Sequence, residues 1–287
     1  MKTTRKNNLM IAGAIILTMF SASCSKNSSS NPYPQPTSAV TGVQLTANTK
    51  FGNILTDNNG SSLYFFTNDA AGSSTCVGGC AVAWLPFYKA NPAIGTGLNA
   101  ADFAETARAD GSKQTTYKGW PLYYFSGDNK AGDTNGDAVG NLWAIAKPDY
   151  TVMVANAQLV GLDGVQYNDQ GLPGASVSQY ITDANGHTLY LHSPDPHATN
   201  IFTRPDYSNN NVWPIDTVNN TANCPSILDK TQFTTITVVG RKQLVYKGHP
   251  LYYFGQDAAQ RGNTKGVSAP TPGAAIFKVS NGGTVVI

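Results

Sequence analysis

Three groups of side chains in this sequence of 287 residues have types and spacings suited to chemistry. Cys76 and Cys80 lie four apart in "STCVGGCAVAW", with Gly78-Gly79 between them to let the backbone close a short loop. In an oxidising compartment that spacing predicts a disulfide pinning the loop ahead of Trp84. A thiol-redox pair or two ligands of a soft metal are the alternatives, although C-x3-C is not the C-x2-C of thioredoxin-like or zinc-ribbon sites. Cys224 is left over. In "GDTNGDAVG", Asp133, Asn135 and Asp137 sit at i, i+2 and i+4, so a tight loop can aim three oxygens at one calcium ion. Ala138 stands where an EF-hand loop has Gly, Ala144 stands at its twelfth position, and a plain Asx turn explains the same residues. The third group, "GHTLYLHSPDPH", sets His187, His192 and His197 five apart, on opposite sides of a strand, which suits rim positions better than shared ligation. No GxSxG, P-loop, HExxH or CxxCH is present, and no residue is nominated as catalytic.

The most repeated pattern is Tyr-x4-Asp. It occurs as Tyr64/Asp69, Tyr123/Asp128, Tyr190/Asp195 and Tyr252/Asp257, inside a duplication so close that "YKGWPLYYFSGD" recurs as "YKGHPLYYFGQD". "ILTDNNGSSLYFFTND" likewise aligns with "YITDANGHTLYLHSPD". The chain after Val40 therefore reads as two halves, about 41–157 and 158–287, each with two units. Tyr brings a large apolar body and a hydroxyl needing a partner, and Asp beyond a strand end caps a turn, so the set is first of all structural. The four carboxylates around one axis would instead hold a cation or serve glycoside chemistry.

Elements that position these residues are hairpins. Asn59-Gly60, Asn185-Gly186, Lys118-Gly119 and Lys247-Gly248 are turn dipeptides between β-prone runs, and no segment has helical periodicity with caps. The expected fold is all-β, as tandem β-hairpin repeats closing into a propeller-like ring or packed as two half-domains; a ring leaves fewer exposed edges and is favoured.

Lys2, Arg5 and Lys6, the apolar run Leu9 to Phe20 and the small residues before Cys24 form a lipoprotein signal over 1–24, too short to span a membrane. Cys24 is the expected lipidation site, and 25–40 a flexible tether rich in Ser, Asn and Pro. Charged residues are only 13% of the chain and the net charge is +2, which argues against nucleic acid as a partner. "LYFFTND", "CVGGCAVAW", "GWPLYYFSGD" and "GHPLYYFGQD" resemble the Tyr-x4-Asp tandem repeat of secreted bacterial lipoproteins, a family of unknown function. The resemblance implies export and β-repeat architecture and brings no activity with it. The expectation is a lipid-anchored cell-envelope protein, on the outer membrane or cell surface, that binds a ligand or partner without catalysis. A redox or metal protein using Cys76 and Cys80, with His192, is the alternative, and a carbohydrate-acting enzyme the third reading.

Overall fold

The computed structural model describes residues 39–218 and 223–287. Cys24 and most of the tether lie outside the described residues. The described chain is almost wholly strands, turns and short 3-10 segments, and its one α-helix, Gly79–Ala83, spans five residues.

Both halves are built to one plan. Each opens with an antiparallel hairpin, Gly42–Asn48 with Gly52–Asp57 in the first and Val152–Val160 with Val177–Asp183 in the second. The division expected between residues 157 and 158 falls inside Val152–Val160, a strand that pairs wholly within the second half. Its hairpin also carries an insertion containing the short strand Gln166–Tyr167, where the first half has only a tight turn.

A sheet follows each hairpin. In the second half its order is Phe233–Val238, Arg241–Tyr246, His249–Tyr252, Tyr190–His192 and Phe277–Val279. The first half repeats that order with Phe103–Ala107, Lys113–Tyr117, Trp120–Pro121, Tyr64–Phe66 and Trp143–Ile145, joined at the middle by a single bridge, Tyr64 to Tyr123. Lys118-Gly119 and Lys247-Gly248 both take positive φ, as a two-residue hairpin turn requires. The sheets do not close into a barrel or propeller. The ring favoured from sequence gives way to two halves packed on each other, because every unit already finds its sheet partner inside its own half.

One apolar core crosses from half to half, from Val43, Phe65 and Trp120 to Tyr190, Trp213 and Val279. Arg261 stitches the junction: its Nε and Nη1 donate to the carbonyls of Ala70 and Lys118, both at 3.0 Å, and its guanidinium lies 4.5 Å from the centre of the Trp120 ring. Burial holds its pKa down to about 10.

Candidate functional site

The Tyr-x4-Asp residues meet in crossed pairs. Tyr64 and Tyr123 are direct antiparallel neighbours, exchanging backbone bonds of 2.8 and 3.0 Å, and Tyr190 faces Tyr252 in the same way. Directly opposed residues share one face of a sheet, so each ring runs past its sister strand to the carboxylate that follows it. Tyr64 donates to Asp128 at 2.7 Å, Tyr123 to Asp69 at 2.6 Å, Tyr190 to Asp257 at 2.7 Å and Tyr252 to Asp195 at 2.5 Å. All eight residues are buried. The carboxylates are thus shared two to each half, every one of them taken by a tyrosine. Burial pushes Asp128 and Asp257 up to about 6 and raises Asp69 as well. It also lifts the pKa of all four tyrosines, which remain donors.

The loop singled out for calcium completes this arrangement. Asn135 gives its backbone N–H to Asp128 at 2.9 Å, and Lys265 does the same for Asp257 at 2.9 Å, although "RGNTKG" has Asn263 in place of the Asp133 of "AGDTNG". Gly136 and Gly266 follow, and a Cβ on either would lie 2.8 to 2.9 Å from the Tyr and Trp rings beside it. Asp133 Oδ2 accepts from Asn129 and Lys130, and Asp137 Oδ1 accepts from Ile145. Asp137 Oδ2 is buried without a partner, the one feature that favours an ion there. Among the described residues no group of three or more His, Cys, Asp or Glu side chains is arranged to hold a metal.

Beside each crossed pair stands a column of four rings. Phe66, Trp143, Trp84 and Phe125 follow one another at 4.1, 3.7 and 4.2 Å between centres. His192, Phe277, Trp213 and Phe254 do so at 4.8, 3.5 and 4.5 Å. His192 is therefore the terminal ring of a column, its Nδ1 bonded to Asp195 at 2.8 Å. Cys76 and Cys80 are joined in a disulfide next to the first column, and Arg108 Nη2 donates to the Cys76 carbonyl at 2.7 Å. The same guanidinium reaches Ser74, which bonds the Tyr123 hydroxyl. Asn200 replaces Arg108 in the second half, bonding Gln243 where Arg108 bonds Gln114. Cys224 is a free thiol, its pKa raised to about 11 by burial.

The second half departs from the first most sharply at one cleft. A cavity of about 460 Å3 is lined by Asp183, His187, Pro214, Tyr253, Phe254 and Asp257, among others. That volume falls in the range of small-molecule sites. His187 Nδ1 bonds Asp183 at 2.8 Å, a contact that raises the imidazole pKa. Tyr253 reaches Asp183 at 3.5 Å and, behind it, Asp216 at 3.1 Å. Asp216 is 4% exposed, and burial pushes it up to about 7. The corresponding residues of the first half are Ser61 for His187 and Phe87 for Asp216, and there Tyr124 has Asp57 alone, at 2.9 Å. The cleft couples hydrogen-bonding groups, several of them able to exchange protons near neutrality, to the apolar walls of Pro214 and Phe254. Neither Asp216 nor Arg261 stands out in the sequence by itself. Aligning the halves and asking where an apolar residue becomes acidic would have found Asp216.

A duplicated, mostly β scaffold whose repeated residues bond one another defines a class: a repeat protein made of two self-paired halves. Residues 45–87 and 106–147 match the model of a family described as a secreted repeat of unknown function, and these two segments hold the two units of the first half. No curated protein and no solved structure matches the chain.

Proposed function

We propose that this is a lipid-anchored cell-envelope protein, held to a bacterial membrane through Cys24, that binds a polar ligand without transforming it. The observation that carries the reading is the division of labour between the halves. The recurring Tyr and Asp residues are consumed in internal hydrogen bonds, while beside Asp257 the cleft holding Asp183, His187 and Tyr253 stands where His187 and the Asp216 behind it set the second half apart from the first. Its chemistry suits a ligand bearing hydroxyl or amino groups, with an apolar face to lie on Phe254 and Pro214. No helix among the described residues is long and apolar enough to cross a membrane, and this reading assigns attachment to a lipid on Cys24.

The test is a thermal-shift screen of saccharides, amines and short peptides against the full chain, followed by calorimetry on every hit. A ligand that raises the melting temperature of the native protein but not of a Tyr253→Ala variant, and is recovered unchanged, supports the reading. Recovery of a chemically altered ligand would replace it with an enzyme. Fractionation tests the anchor separately: Cys24→Ser should release the protein from membranes.

A further inference from the structure

The cleft beside Asp257 gains part of its wall from one added residue. The Asp133 N–H bonds the Lys130 carbonyl as the Asn263 N–H bonds that of Gln260, so the first half has Asn129 alone where the second has Ala258 and Ala259. Both alanines take positive φ, 54° and 50°, a backbone that L-residues other than Asn and Asp rarely hold. Two neighbours held there, with methyl groups for side chains, leave that wall small and apolar.

The polar side chains of the cleft are unevenly engaged. Every side-chain donor among them already has an acceptor in the protein. His187 Nδ1 bonds Asp183 at 2.8 Å and the ring also bonds the Ala259 carbonyl, Thr188 Oγ1 donates to the Asn263 carbonyl at 2.6 Å, and Tyr253 donates to Asp216 at 3.1 Å. Acceptors remain. The two oxygens of Asp257 take one bond each, from the Lys265 N–H and the Tyr190 hydroxyl, and each has a second lone pair. The Tyr253 and Thr188 oxygens keep lone pairs as well. Asp183 is paired with His187, whereas no ion pair of the described residues includes Asp257, which is 5% exposed.

We propose that the cleft takes a primary amine in its ammonium form, with its N–H groups directed at Asp257 and at the Tyr253 and Thr188 oxygens and its carbon body against Pro214, Phe254 and the two alanines. The inference rests on the reading of the cleft as a ligand site and narrows it. An ammonium brings three donors and no acceptor, matching walls that offer lone pairs and no free side-chain hydrogen. A hydroxyl brings one donor and an oxygen for which no side-chain donor is left. A carboxylate or phosphate brings acceptors alone, beside the carboxylate of Asp257.

The experiment is calorimetry on the full chain at pH about 8, where Asp257 is ionised, with three ligands that share one carbon body: phenethylamine, 2-phenylethanol and 3-phenylpropionate. Hexylamine, hexanol and heptanoate repeat the comparison on a second body. Amine binding with a Kd of about 1 mM or below is expected, about tenfold or more tighter than for the alcohol and the carboxylate of the same body. Ala259→Lys places an ammonium of the chain's own on the wall, in a conformation that Lys118 and Lys247 also hold, and should weaken amine binding about tenfold or more without lowering the melting temperature. Alcohols or carboxylates bound as tightly as the amines, no amine bound at about 20 mM, or amine binding indifferent to Ala259→Lys overturns the inference. A saccharide bound in the cleft while no amine binds leaves the ligand-site reading standing and removes only the amine; no ligand of any class removes both.

Discussion

The two halves share their hydrogen-bond plan and differ in what closes it. In the first, the loop after Asp69 is tied by the Cys76–Cys80 disulfide and by Arg108, which reaches both Ser74 and the Cys76 carbonyl. In the second, His192 bonds Asp195 directly, and Phe202 packs against the His192 ring at 5.0 Å. One copy is fastened covalently and the other by aromatic packing and a histidine. The first half also keeps Phe87 where the second has the buried carboxyl of Asp216. A duplicated scaffold can hold its centre while one copy takes on polar groups that add nothing to stability.

The comparison has consequences of graded size. The largest belongs to Asp216. Its folded pKa of about 7 lies above the ordinary 3.8, so the stability it permits is full below pH 4 and is lost as pH rises towards 7. The loss amounts to about 4 kcal/mol. Urea unfolding at pH 4.5 and pH 8 should show Asp216→Asn holding its stability on the alkaline side better than the native protein. Equal pH slopes would mean that Asp216 is not the second half's burden.

Next come the crossed pairs. Tyr64→Phe and Tyr190→Phe each leave a buried carboxyl short of a donor and should cost about 2 to 3 kcal/mol. Near-equal losses in urea would confirm that the two centres are equivalent, and a loss in only one would break the symmetry. Removal of the disulfide by a Cys76→Ser, Cys80→Ser double variant should cost about 2 kcal/mol, the entropy of closing so short a loop. Hydrogen exchange should place the loosening at residues 70–84 and leave the second half protected. The smallest effect is expected from His192→Phe, which installs the first half's residue at the end of the second column. Its melting temperature should move by only a few degrees, for about 1 kcal/mol.

Much of this architecture could be read before any coordinates. Strand runs, turn glycines, the duplication and the disulfide all follow from local residue choice, and local choice is what a sequence displays. The partner of each Asp was not so accessible. A spacing of five suggests a cap for the chain's own turn, and Asp69 does accept from Thr75 at 2.7 Å. Its second oxygen, however, serves Tyr123, more than fifty residues away, and the identical spacing in every unit conceals which tyrosine goes where. Gly-Asp-Thr-Asn-Gly has a task that its side chains do not display. The backbone N–H of Asn135 reaches Asp128 whatever the side chains do, which is why Lys265 can do the same task in the other half. Asp216 and Arg261 escaped because their roles depend on what lies opposite them after folding.

The crossing of tyrosine and aspartate also bears on the order in which the chain can acquire structure. Tyr64 is made long before Asp128, and until the second unit has emerged the Tyr64 hydroxyl lacks its carboxylate and Asp69 has Thr75 but not Tyr123. A single unit is therefore no folding unit at all. Its sheet, its carboxylate and its ring column are completed together by its sister, so the smallest piece that duplication could have copied to give a working fold is a pair.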